Sequence, residues 1–236
     1  MLKGSEVKKL SIHVLLLAAA FMQLLAYAGF DEGLKAYEKG DYQTAFKEFQ
    51  SLANQGDSRA QYNLGLMYDL GRGVAEDDKE AFSWYRKAAE KGHAGAQSSI
   101  GLMYELGKGV AQDYKQAVSW YRKAAEQGDA QSQVSLGLMY DLGRGVAKDD
   151  KQAVQWFRKS ADQGHAFAQY SLGLAYHQGT GVAQDYVQAY KWYNISVAHN
   201  HEFARMFRDN VAKTMTPSQI EQAQKLASEW MQQHSK

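Results

Sequence analysis

From residue 57 onward, apolar positions recur at helical spacing in short blocks separated by glycine. In Ala60-Gln61-Tyr62-Asn63-Leu64-Gly65-Leu66-Met67-Tyr68, residues Ala60, Leu64, Met67 and Tyr68 stand at i, i+4, i+7 and i+8, the spacing of one helical face. Gly71-Arg72-Gly73 follows and stops this helix, because glycine accepts the positive φ of a C-terminal cap. A second helix is predicted from Asp77. Its carboxylate can accept from the free N–H groups of the first turn, and Glu80 can bond back to close a capping box. This helix turns Ala81, Trp84, Tyr85, Ala88 and Ala89 to one side and closes at Gly92.

The pair then repeats with a period of 36 residues: Trp84, Trp120, Trp156 and Trp192; Gly65, Gly101, Gly137 and Gly173; Tyr68, Tyr104, Tyr140 and Tyr176. The caps repeat too, as Asp113 with Gln116, Asp149 with Gln152 and Asp185 with Gln188. Of 21 glycines, 15 keep this register, so the punctuation is itself periodic. Four units result, 57–92, 93–128, 129–164 and 165–200. The first helix of a unit is apolar nearly all round through Leu64, Leu66, Met67, Tyr68 and Leu70, more than one pair can bury, so pairs must stack. A glycine inside that helix costs about 1 kcal/mol relative to alanine, and its recurrence implies that a neighbouring helix comes too close for a side chain. The expected fold class is all-α, an α-solenoid of antiparallel helix pairs.

Both ends depart from the period. Residues 29–56 form a shortened unit in which Asp41, Ala45, Phe46, Phe49 and Gly56 keep register with Asp77, Ala81, Phe82, Tyr85 and Gly92, and Gly40 replaces most of the loop. Residues 201–236 read as capping helices, the first with Phe203, Phe207 and Val211 on one face. The second starts at Thr216-Pro217-Ser218-Gln219 and turns Ile220, Ala223, Ala227, Trp230 and Met231 inward.

The combination Leu64-Gly65, Tyr68, Gly71-x-Gly73-Val74, Asp77, Ala81, Trp84-Tyr85 and Ala88-Ala89 resembles the Sel-1-like repeat, and the shortened first unit resembles a tetratricopeptide unit. The resemblance implies a right-handed superhelix and an adaptor that holds partner proteins. Some secreted relatives bind or hydrolyse β-lactams but are rich in cysteine, from which this chain departs.

The first 28 residues read as an export signal: Lys3, Lys8 and Lys9, an apolar run from Leu10 to Leu25, and Ala26-Tyr27-Ala28 as a cleavage site. The rest then lies in the bacterial periplasm or medium. The alternative is an uncleaved membrane anchor, since Leu10 to Ala28 is 19 residues and a span needs about 20.

Composition narrows the function. Without the signal, 24 basic and 25 acidic side chains remain, a balance that does not suit phosphate neutralisation, so no nucleic-acid partner is expected. The absence of cysteine excludes disulfides, a thiolate metal site and a cysteine nucleophile. Asp77-Asp78 and Asp149-Asp150 read as helix caps, because Tyr114 and Tyr186 replace the second carboxylate in the other units. Gly71-Arg72-Gly73 lacks the lysine of a phosphate loop. His199, His201 and Glu202 with His177 form the one metal-like grouping, short of a zinc set. No metal, cofactor or catalytic residue is expected, and the chain reads as a non-enzyme.

Arg86-Lys87, Arg122-Lys123 and Arg158-Lys159 recur as a basic stripe, each arginine with an acid four residues on in Glu90, Glu126 and Asp162, which reads as a solvated helix face. The tryptophan ladder reads as core. What varies against this scaffold are positions of the first helix in each unit. Tyr62, Asn63, Asp69, Ser99, Glu105, Ser135, Asp141, Tyr170, Ser171 and His177 are therefore the candidate groove for a protein or peptide partner. The leading function is a non-enzymatic exported scaffold. The alternative is a cell-envelope ligand binder or hydrolase acting on β-lactam or peptidoglycan-like molecules. Oligomeric state is left open.

Overall fold

The computed structural model describes residues 28–234, so the expected export signal lies, apart from its last residue, outside the described residues. Among the described residues there are twelve helices and no strand. They are α1 (28–38), α2 (Tyr42–Asn54), α3 (Ser58–Leu70), α4 (Asp78–Glu90), α5 (Ala94–Leu106), α6 (Tyr114–Glu126), α7 (Ala130–Leu142), α8 (Asp150–Ala161), α9 (Ala166–Gln178), α10 (Tyr186–Ala198), α11 (Glu202–Ala212) and α12 (Pro217–His234). This is the α-solenoid class of antiparallel helix pairs expected from the period. The chain divides into two compact units, one up to Ala96 and one from Gln97. In the first, Phe30, Phe49, Leu64 and Met67 fill the space between α1, α2 and α3. In the second, α6 to α10 pack in sequence, and α10 is covered by both α11 and α12.

Each first helix ends at a glycine in the left-handed region, with φ of +62° at Gly71 and +65° at Gly143, a conformation that a Cβ disfavours. The loop then returns the chain so that the backbone N–H of the next N-cap donates to a carbonyl near the end of the helix just left. Asp77 bonds Tyr68 at 3.1 Å, Asp113 bonds Tyr104 at 2.9 Å, Asp149 bonds Tyr140 at 3.0 Å and Asp185 bonds Tyr176 at 2.9 Å. The aspartate side chains cap as expected: Asp77 accepts from Lys79 and Glu80, Asp149 from Gln152. The return half of the capping box is not made by Glu80, Gln116, Gln152 or Gln188, because the N–H it would use is already donated to the tyrosine carbonyl. Thr216 and Gln219, at the start of α12, make both halves at 2.9 and 3.3 Å.

The glycine inside each first helix is a close-approach site. A Cβ there would come within 2.7 Å of Tyr85 at Gly65, 2.6 Å of Tyr121 at Gly101, 2.6 Å of Phe157 at Gly137 and 2.5 Å of Tyr193 at Gly173. What occupies the space is an aromatic ring of the second helix, its Cδ1 and Cε1 nearest the first.

Successive pairs are also joined by a buried glutamine. Gln133 donates its amide to the Ala125 carbonyl and Gln169 to that of Ala161, both at 3.1 Å. Their side-chain oxygens accept from Gln163 and bond His199 Nδ1, both at 2.8 Å. Gln61 repeats the first bond with Ala53. Its oxygen is buried without a partner, because Lys91 stands where Gln127, Gln163 and His199 stand in the later units.

The C-terminal cap differs from expectation in one face. Phe203 is 70% exposed, and the buried stripe of α11 is Ala204 and Val211 with Phe207 and Arg208 half-buried. Positions 204, 207, 208 and 211 hold the i, i+3, i+4, i+7 spacing, and Phe203 lies one residue, about 100°, away from it. Inward burial of Ala223, Ala227 and Trp230 on α12 follows the pattern expected.

Candidate partner-binding face

All ten candidate residues lie on the first helices of their pairs, α3, α5, α7 and α9, and all are half-buried. In the first unit Tyr62 stacks on His93, ring centroids 4.7 Å apart, and leans on Tyr85. Asn63 donates to the Arg59 carbonyl at 2.9 Å, a local helix bond. In the second unit Tyr170 stacks on His201 at 4.8 Å and meets Phe207 edge-on at 5.3 Å. Ser171 donates to the Phe167 carbonyl at 2.9 Å.

Burial pushes His93 and His201 below the ordinary imidazole value, so at neutral pH each presents a neutral ring to its tyrosine. Burial pushes the phenol of Tyr193 up, and that of Tyr121 up as well, with the bond to Glu105 adding to the effect.

The polar residue one turn beyond each close-approach glycine faces the aromatic side chain that fills the joint. Tyr85 donates to Asp69 at 3.3 Å, Tyr121 to Glu105 at 2.7 Å, and the Tyr193 hydroxyl lies 3.4 Å from His177 Nδ1. Ser135 also bonds the side chain of Tyr121. Asp141 faces Phe157, which has no hydroxyl.

Three of the ten candidates, Asp141, Tyr170 and Ser171, share one cavity of about 160 Å³ within the second unit, with Leu138, Phe157 and Leu174 among its walls. A water molecule's share of liquid volume is about 30 Å³, so the cavity admits one side chain. Cofactor and drug-sized sites start near 300 Å³. Asp69, Glu105 and His177 are each engaged with a tyrosine of their own pair, and among the described residues no hydrogen bond holds Ser99.

Residues 58–93, 94–129, 130–165 and 166–201 each match the Sel1 repeat. The chain belongs to the Sel1 repeat family. Sel1 repeat proteins generally mediate protein–protein interactions, and the scaffold is typically non-enzymatic. Two solved structures are similar over most of this Sel1 repeat chain. One is c5321, a protective antigen present in uropathogenic Escherichia coli strains with an SLR fold. It is 35% identical with a TM-score of 0.78, covering 91% of this chain and 46% of that one. The other, a Sel1 repeat protein from Oxalobacter formigenes, is 34% identical with a TM-score of 0.73, covering 86% and 84%. A rat protein, DAP3-binding cell death enhancer 1, is 47% identical over 45 residues, 19% of this chain and 9% of its own length. The Sel1 repeat chain thus spans less than half of c5321 and a small part of the rat protein.

Of the tryptophan ladder, Trp84, Trp120 and Trp156 are half-buried and Trp192 is buried, under Trp230 of α12. The core position next to each belongs to the tyrosine or phenylalanine against the glycine, which turns the indole to the border of the core. There the Nζ of Lys87, Lys123 and Lys159 lies 3.6 to 4.0 Å from the ring centre, a cation–π contact.

Of the expected arginine–acid pairs, Arg86–Glu90 forms at 2.9 Å. Arg122 and Arg158 instead donate to the hydroxyls of Tyr140 and Tyr176, at 2.6 and 2.5 Å, because a half-buried hydroxyl on the following pair lies within their reach. The histidines of the metal-like grouping have separate partners, His199 with Gln169, His201 with Tyr170 and His177 with Tyr193. Among the described residues no three His, Asp or Glu side chains gather as metal ligands would. The glutamine that joins successive pairs was missed by sequence reasoning. Its signal was present in the period of Gln61, Gln97, Gln133 and Gln169.

Proposed function

We propose that this protein is an exported, non-enzymatic scaffold that holds a segment of a partner protein against the first helices of its pairs. The observation that carries the reading is the division of labour along α7 and α9. Leu136, Gly137, Leu172 and Gly173 are buried in the joints, while Asp141, Tyr170 and Ser171 line an open-mouthed cavity sized for one side chain. Such a cavity suits an anchor residue of a peptide better than a small-molecule substrate. Export is supported by the basic, apolar and Ala-x-Ala succession of residues 1–28, and by the description of the similar E. coli protein as a protective antigen.

Crosslinking pull-down from envelope extract, with the full chain as bait and a variant carrying alanine at Tyr62, Asp69, Glu105 and Asp141 as control, tests the scaffold. A protein recovered with the first and lost with the second supports it; recovery of nothing overturns it. N-terminal sequencing of the exported protein tests the leader, with Gly29 expected first and Met1 refuting cleavage.

A further inference from the structure

The cavity between α7, α8 and α9 carries a carboxylate, that of Asp141, which no cation among the described residues balances. In the other pairs the residue at this position is bonded to the phenol of the joint: Asp69 to Tyr85, Glu105 to Tyr121, His177 to Tyr193. The phenyl ring of Phe157 sits against Gly137 at the same 2.6 Å approach that Tyr121 makes on Gly101. The two joints therefore have the same geometry, and the hydroxyl is what is missing. Among the described residues Asp141 has no hydrogen-bond or ion-pair partner. The second carboxylate of the cavity, Asp150, has a cation beside it, Lys148 Nζ at 3.3 Å, although its buried Oδ1 makes no hydrogen bond.

Any side chain that enters this cavity removes water from Asp141. A neutral apolar occupant would leave a desolvated, unpaired charge, which is costly. A cationic occupant replaces the lost water with a charge-assisted bond and lays an aliphatic stem along Leu138, Phe157 and Leu174. We infer that this cavity is a selectivity pocket for one lysine or arginine side chain of the bound protein segment, with Asp141 receiving the charge. The inference rests on the scaffold reading above and adds the chemistry that the partner must present there. Among the four full repeats Phe157 alone replaces the tyrosine, which makes the third pair the one that reads charge, whereas the equivalent carboxylates of the first two pairs are occupied from within.

The test is a selection followed by a cycle. The full-length chain is used to enrich peptides from a random displayed library. The strongest binder and its basic-residue-to-leucine version are then titrated by fluorescence anisotropy against wild type, F157Y and D141N. F157Y supplies the hydroxyl that three other pairs already carry, so it is expected to fold, and a thermal melt verifies this.

The expected result is an enriched Lys or Arg at one peptide position, whose replacement by leucine weakens binding to wild type at least tenfold and to either variant less than threefold. Equal weakening in all three proteins, or enriched peptides without a basic position, overturns the pocket while leaving the scaffold standing. Enrichment of no peptide at all overturns both.

Discussion

The pairs 93–128 and 129–164 have the same joint and differ by one oxygen above it. In both, a glycine of the first helix receives an aromatic ring of the second at 2.6 Å, and the chain returns through a loop tied by Asp113 to Tyr104 or Asp149 to Tyr140. Above the joint, Tyr121 satisfies Glu105 at 2.7 Å, while Phe157 leaves Asp141 to the cavity. A repeat scaffold can therefore keep its packing constant and make a single pair receptive by deleting one internal hydrogen bond. The buried ring determines stability, and the atom at its edge determines what the surface offers.

The comparison can be broken most severely at the joint. Gly137→Val puts branched carbons where Phe157 lies, and should cost about 1–3 kcal/mol or more, read as a lowered melting temperature by circular dichroism; a melt like wild type removes the close-packing account. Next, Gln133→Leu removes the bond to the Ala125 carbonyl, which keeps the Gly128 N–H, and the bond from the exposed Gln163 amide, which keeps the Lys159 carbonyl, an expected loss of about 1 kcal/mol in urea unfolding. An equally stable variant shows that water fills those roles.

The edge of the ring gives a paired effect. Tyr121→Phe should lose about 1 kcal/mol and Phe157→Tyr should gain about as much. Equal signs for the two substitutions would show that the pairs are not equivalent.

A pH effect follows from His93, His165 and His201, whose imidazoles burial pushes below the usual 6.5. Above that value folded and unfolded chains are both neutral at these sites. As pH falls through it the unfolded chain takes up protons first, so stability declines toward acid. Urea midpoints that stay level from pH 7.5 to 5.5 would refute this. The smallest change is expected from Gln116→Ala, whose side chain makes no return bond to Asp113; it should stay within about 0.5 kcal/mol of wild type.

Helix positions, the glycine caps, the N-cap aspartates and the close approach at Gly65, Gly101, Gly137 and Gly173 were all legible in the sequence. A 36-residue period repeats each local signal four times, and local signals decide helix ends. The family resemblance added the class of function, because residues that recur in this pattern define a shared scaffold. What the chain alone could not decide were contacts between residues far apart in sequence. Counting i+4 steps places Phe203 on the face of Phe207 and Val211, yet the stripe runs through Ala204 and Val211 once α11 meets α10. Their place on the apolar side of the second helix reads the tryptophans as core, but neighbouring tyrosines and Phe157 occupy the joint and leave three indoles under lysines. The capping boxes looked complete, but a carbonyl of the preceding helix takes the N–H that would close them. Ten variable residues could be named from the sequence, and only the packing of α7, α8 and α9 brought Asp141, Tyr170 and Ser171 to one cavity. Periodicity determines which face of a helix is apolar, because that is a property of spacing. Which polar atom finds a partner depends on the distances that assembled helices impose.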